Sequence, residues 1–371
     1  MDNRGICKSA VLIFTAFILA FGVFSLMRLI DEPIFRFLGP DLPIEEGKEG
    51  AIVPTPPLEL SFVFGGDVML SRQVGQRMAR YADYQWPFRE IEPYLAEADL
   101  ALVNLESPFV FGQDYYVPTG SFTFRADPQA IAGLEGAGID IVSLANNHFA
   151  NAGRQGMADT FSSLGEAGIG YIGAGRNENE AREGIKREFG GHCFAFLAFA
   201  YPEDASLADD DTAGIVGMDK EKAAADVARL KSDGCAVIVS MHAGIEYTRE
   251  PNWQQEEFAR GMIEAGADLI IGHHPHWPQI TEVYQGKLII YSLGNLVFDQ
   301  MWSLETQQGL LALVSWKEGI GFYQADFLPV KIFDYGQPQL MEDGEERNIL
   351  LDSLGLPNDG HLRFLPDEAG G

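Results

Sequence analysis

The chain has 371 residues, with 54 Asp and Glu against 26 Lys and Arg, for a formal net charge of −28. A hydrophobic share of 46% supplies a sizeable core and excludes a mostly disordered chain. The acidic balance excludes nucleic acid as an expected partner and a basic face docking on anionic lipid, since both need clustered cations.

Arg4 and Lys8 precede Ser9–Met27, a run without a charge. At ~1.5 Å per residue it makes about 28 Å of helix, close to the ~30 Å hydrocarbon core. A cleaved signal peptide and an uncleaved anchor both fit such a run. Ala20-Phe21-Gly22 is a poor cleavage site, and Cys7 lies before the run, where no lipoprotein cysteine would be. The expectation is a signal anchor over 1–30, single-pass in the cell membrane, with Arg28 onward outside the cytoplasm. Residues 31–57 carry six prolines with Glu45, Glu46 and Glu49, the composition of a semi-extended linker.

From residue 58 the pattern changes to short apolar runs. Leu58–Gly65, Leu100–Val103, Ile139–Leu144, Ala236–Ser240 and Leu269–Ile271 predict strands buried on both faces. Between them, Asp127-Pro128 predicts a helix start, Ile131 and Leu134 its inward stripe, and Gly136 and Gly138 its end. Residues 277–331 read as strands joined only by turns. The fold class expected is α/β, with mostly parallel central strands and two sheets face to face under outer helices. The domain spans 58–335, and 336–371 reads as an acidic C-terminal tail.

In such sheets ligands bind beyond the carboxyl ends of the strands. The first run ends in Asp67, which is either a ligand or the N-cap of the next helix. The second leads to Asn104-Leu105-Glu106, the third to Asn146-Asn147-His148, the fourth to His242 with Glu246 beyond, and the fifth to His273-His274-Pro275-His276. Pro275 forces His274 out of the helical region, and in an extended segment His274 and His276 project to one side. His273 then points the other way, to a second shell or to solvent. His192 and His361 read as ordinary structural or solvated histidines. Cys7, Cys193 and Cys235 are too few and too scattered for a disulfide scaffold or a cysteine-zinc site. Oxygen and imidazole donors without thiolate suit Mn²⁺, Zn²⁺ or Fe.

These blocks, with Gly66-Asp67-Val68-Met69-Leu70, Phe124-Arg125 and Ser292-Leu293-Gly294-Asn295, resemble the CapA-type capsule synthesis (poly-gamma-glutamate capsule biosynthesis) family, within the calcineurin-like metallophosphoesterases. The resemblance covers about 60–301. It implies a four-layer α/β/β/α sandwich with one or two divalent ions at the strand tips. Carried over residue by residue, Glu106 bridges two ions, one also held by Asp67 and His276, the other by Asn147, His242 and His274. Met69 stands where the family of phosphoesterases has a ligand His, and a thioether binds hard ions poorly.

The activity so implied is metal-assisted hydrolysis or transfer, on a γ-amide or a phosphorylated envelope intermediate. His148 would act on the leaving group, Arg125 would clamp an anionic group, and Glu246 and Asn295 would orient ligands. The implied partners are an anionic polymer or envelope substrate, the membrane, and other capsule-assembly membrane proteins. A non-catalytic polymer-binding or assembly factor is the alternative.

Overall fold

A computed structural model describes residues 56–112, 121–202 and 206–364. The expected anchor and nearly all of the linker lie outside these residues. Among the described residues, no helix is long and apolar enough to cross a membrane.

Strands β1 (Glu59–Val68), β2 (Leu100–Leu105), β3 (Ile141–Ser143) and β4 (Gly170–Ile172) come first. They are separated by helices α1 (Arg72–Tyr81), α2 (Glu92–Ala96), α3 (Ile131–Gly136) and α4 (Gly153–Glu166). Then follow β5 (Ala174–Gly175), α5 (Glu178–Glu183), β6 (Ile185–Phe189), β7 (His192–Ala200), β8 (Gly214–Ile215), α6 (Lys220–Ser232), β9 (Ala236–His242), α7 (Trp253–Glu264) and β10 (Leu269–His273). The last part holds β11 (Thr281–Tyr284), β12 (Lys287–Ile290), β13 (Asn295–Val297), β14 (Gln308–Lys317), β15 (Gly321–Phe333), β16 (Gln337–Leu340), α8 (Glu345–Ser353) and β17 (His361–Arg363).

One sheet runs β16-β15-β14-β1-β2-β3-β4, with β13 on β1 and β17 on β15; a second runs β11-β12-β10-β9-β7-β6. The β1-to-β4 run and the β7-β9-β10-β12 run are parallel, as the apolar strands separated by helices predict. Phe62 of one sheet packs on Phe194 of the other, ring centroids 4.9 Å apart. Ile238, Leu269 and Ile271 point into this shared interior, whereas Val237, Val239 and Ile270 point outward beneath α6 and α7. Helices α2 and α4 cover β2 and β4 on the far side. Helices therefore flank two facing sheets.

Two parts differ from the sequence expectation. Residues 336–364 form β16, α8 and β17, and both strands pair with β15, so this segment extends the sheet although its acidic, Gly- and Pro-broken sequence reads as a tail. Cys193 and Cys235 form a disulfide between neighbouring β7 and β9. Their pairing depends on strand order, which spacing along the chain does not reveal.

Candidate metal centre

The centre is built by strand register. Asp67 pairs with Asn104 of β2 and Asn295 of β13, which places all three on one face. The register slips by one residue between Phe64 and Asp67. Without that bulge Asp67 would follow Val63 and Gly65; with it, Asp67 takes the face of Phe62 and Phe64, toward the second sheet. From that sheet His242 and His273, themselves in register, continue the inward rows of Ile238 and Ile271. Polar residues of both sheets thus meet where the apolar interior ends.

Ligand atoms of Asp67, Glu106 and His242 all lie within 4.8 Å of one another. His242 Nε2 is 3.0 Å from Asn147 Oδ1 and 3.9 Å from Glu106 Oε1. His276 Nδ1 is 3.3 Å from Asp67 Oδ2 and 2.9 Å from Asn295 Oδ1. The His274 ring lies 4.7 Å from that of His242 and 6.3 Å from that of His276, centroid to centroid. The six residues proposed as ligands from sequence are therefore neighbours.

Their backbone differs from expectation. His274 and His276 adopt φ of 97° and 59°, left-handed rather than extended. The two rings approach through a twisted turn after β10, and its strained conformation is of the kind held at ligand sites. His273 is fully buried rather than turned to solvent. Asp67 is not a helix cap, because Ser71 holds the N-cap position of α1.

Asn104, which the sequence presents only as a strand end, is the hub. Its amide nitrogen lies 2.8 Å from Asp67 Oδ1, 3.3 Å from Glu106 Oε1 and 3.2 Å from His242 Nδ1. Its two amide protons thus face two carboxylate oxygens and a ring nitrogen. Its oxygen accepts from Asn146, whose own oxygen accepts the His148 N–H. Among the described residues Glu106 Oε2 has no hydrogen-bond partner, although the side chain is fully buried. An unshared carboxylate oxygen beside imidazoles and a second carboxylate is a donor set that fits a divalent cation.

Burial, then the charge of Asp67, pushes the Glu106 carboxyl well above its usual range. Burial would raise Asp67 too, but its hydrogen bond to His276 and the charge there outweigh this and hold it low. Burial, reinforced by the other imidazoles, pushes His242 well down. Burial acts against a charged His276, yet Glu106 and Asp67 lift it to about 9. Burial takes His148 and His273 down to about 4.

The His148 ring lies tilted against Phe124, centroids 4.0 Å apart, and Phe124 in turn lies under the Arg72 guanidinium, 4.9 Å away. Arg72 forms a buried ion pair with Asp299, and no motif in the sequence marks it. Arg125 is half-buried beside Phe124, and its backbone N–H donates to Ser71 Oγ. Asn295 holds His276 while donating to Thr306 and Gln300. Glu246 is exposed, and its charge reaches both Glu106 and His276.

Two facing mixed sheets under helices, with carboxylates and histidines converging at the strand tips, define an α/β protein with a metal-type centre. Residues 61–300 match the family described as bacterial capsule synthesis protein PGA_cap, and the chain belongs to that family. The capsule biosynthesis protein CapA of Bacillus anthracis is 30% identical over 297 residues, covering 78% of this chain and 71% of that one. The PGA biosynthesis protein CapA of Bacillus subtilis is 29% identical over 297 residues, covering 80% and 77%. The NAD nucleotidase of Haemophilus influenzae superposes with a TM-score of 0.44 at 12% identity, over 81% of this chain and 56% of that one, too faint a likeness to carry an argument.

Proposed function

We propose that this chain serves the synthesis of a poly-gamma-glutamate-type capsule polymer, as an extracytoplasmic, membrane-anchored hydrolase or transferase with a divalent metal. The observation that carries it is the close approach of ligand atoms of Asp67, Glu106 and His242, together with a buried Glu106 oxygen that has no hydrogen-bond partner among the described residues, in a chain of the capsule synthesis family. The disulfide supports the location, since such bonds persist in oxidising compartments.

Asp67, Glu106, Asn147, His242, His274 and His276 would hold one or two ions of Mn, Zn or Fe. The ion would supply Lewis-acid polarisation of a substrate oxygen. His148 would handle the proton. Asn151 Oδ1 accepts the Phe124 N–H at 2.6 Å, which fixes it as an acceptor. It lies 3.1 Å from His148 Nδ1, so Nδ1 carries the hydrogen and Nε2 keeps its lone pair. This arrangement favours His148 as a proton acceptor at the start of the reaction, rather than the leaving-group acid read from the motif. Arg125 would meet an anionic group of the polymer or envelope substrate, and Asn295 and Glu246 would orient ligands.

Met69 favours a second reading, an assembly factor that binds polymer without turnover, because its buried thioether stands in the place of an imidazole. The full chain purified without chelator separates the two. Retained metal, lost at least about 10-fold in Glu106→Gln, with hydrolysis of polymer or a generic phosphodiester abolished in His148→Ala, supports the enzyme. Retained metal without turnover supports the assembly factor, and a metal content near zero overturns the metal reading.

A further inference from the structure

One imidazole at this centre has no part in the arrangement above. His273 closes β10, in register with His242, on the strand face that Leu269 and Ile271 turn to the interior. Its side chain is fully buried, and neither ring nitrogen has a hydrogen-bond partner among the described residues. Leaving a buried polar group unpaired costs about 1–3 kcal/mol, so an orphaned ring needs a reason.

The distance to its nearest charged neighbour supplies one. His273 Nδ1 lies 3.7 Å from Asp67 Oδ1. That is too long for a hydrogen bond. It is close to the ~3.3 Å that separates two donors sharing one ion with tetrahedral bonds of about 2.0–2.1 Å. Met69 does not compete for this place. Its sulfur is engaged by the Ser71 N–H at 3.1 Å, inside the turn that leads to α1.

We propose that His273 is a ligand of the ion that Asp67 holds, reaching it from β10 and supplying the imidazole that Met69 does not. The assignment rests on the metal-binding reading of the centre. It adds a residue from the second sheet to the Asp67 side of the site, so that the ion fastens the two sheets together at their tips. An ordinary buried histidine would instead be indifferent to metal.

The test uses the full chain, with Co²⁺ affinity measured by chelator competition for the wild type, His273→Leu, His273→Gln and the exposed-site control His361→Gln. Both His273 variants are expected to weaken Co²⁺ by about 100-fold or more and to change its visible absorption, with the control unchanged. In wild-type protein carrying ¹⁵N-histidine, the ring resonances missing from both variants are expected to move when Zn²⁺ is added. This measurement is made on a molecule whose folding is not in question. Wild-type binding matched within about twofold by both variants, or His273 resonances that ignore Zn²⁺, overturns the assignment and leaves the metal centre standing. A wild type that binds neither ion removes the centre itself, and His273 with it.

Discussion

The Asn151 amide decides which way a proton moves at His148. Burial keeps the ring neutral down to about 4, and an amide oxygen on Nδ1 offers the imidazolium only partial support. An unfolded histidine protonates near 6.5, so between about 6.5 and 4 the unfolded chain binds the extra proton. His148 therefore withdraws stability as pH falls through that window and withdraws none above it. Asn151→Asp places a carboxylate on the same nitrogen. It is expected to raise the His148 midpoint by at least about one pH unit, read by NMR titration in chelator, and to shrink the acid loss of stability. A midpoint that stays put would mean the Asn151 contact does not govern the ring. Residues of this sort were only half legible. His148 announced itself in an Asn-Asn-His block, but Asn104 and Asn151 are common polar residues whose weight comes from what strand register and a turn set beside them.

Strand tips were the most readable elements, because an apolar run that ends in a polar side chain fixes both burial and direction. The runs beginning at Leu100, Ala236 and Leu269 begin β2, β9 and β10 in the structure. The bulge in β1 was not readable, although it alone turns Asp67 inward. Gly66 shows how tightly it is built. A Cβ there would sit 1.9 Å from the Gly294 carbonyl oxygen, the same oxygen that accepts the Asp67 N–H at 2.9 Å. Backbone cannot give way as a side chain would, so the crossing of β1 past the turn before β13 requires glycine. Gly66→Ala is expected to cost about 3 kcal/mol or more in urea unfolding and to weaken metal binding with it. Conversely, a variant of full stability and unchanged affinity would show that the crossing is looser than drawn.

At the scale of the whole molecule, the two ends of the sheets carry different devices. Asp67 lies eight residues along β1 from Glu59, about 26 Å at ~3.3 Å per residue. The donor cluster stands at the carboxyl end of the strands. The Cys193–Cys235 bond stands at the other, where Leu58 lies against Gly190. A disulfide across a 42-residue separation is expected to contribute ~2–4 kcal/mol, lost on reduction, while leaving the distant donors in place. It also bears on the proposed extracytoplasmic location, because such bonds persist in oxidising compartments. Trp302, 60% exposed and edge-on to Tyr247 beside His276, marks the rim of the site. With Trp302→Cys, a membrane-impermeant maleimide is expected to label intact spheroplasts at position 302 at once, whereas Cys7 reacts only after permeabilisation. Cys193 and Cys235, tied to each other, should stay silent until reductant is added. Label at position 302 that appears only after lysis would place the domain in the cytoplasm and leave the disulfide without an oxidising environment to keep it.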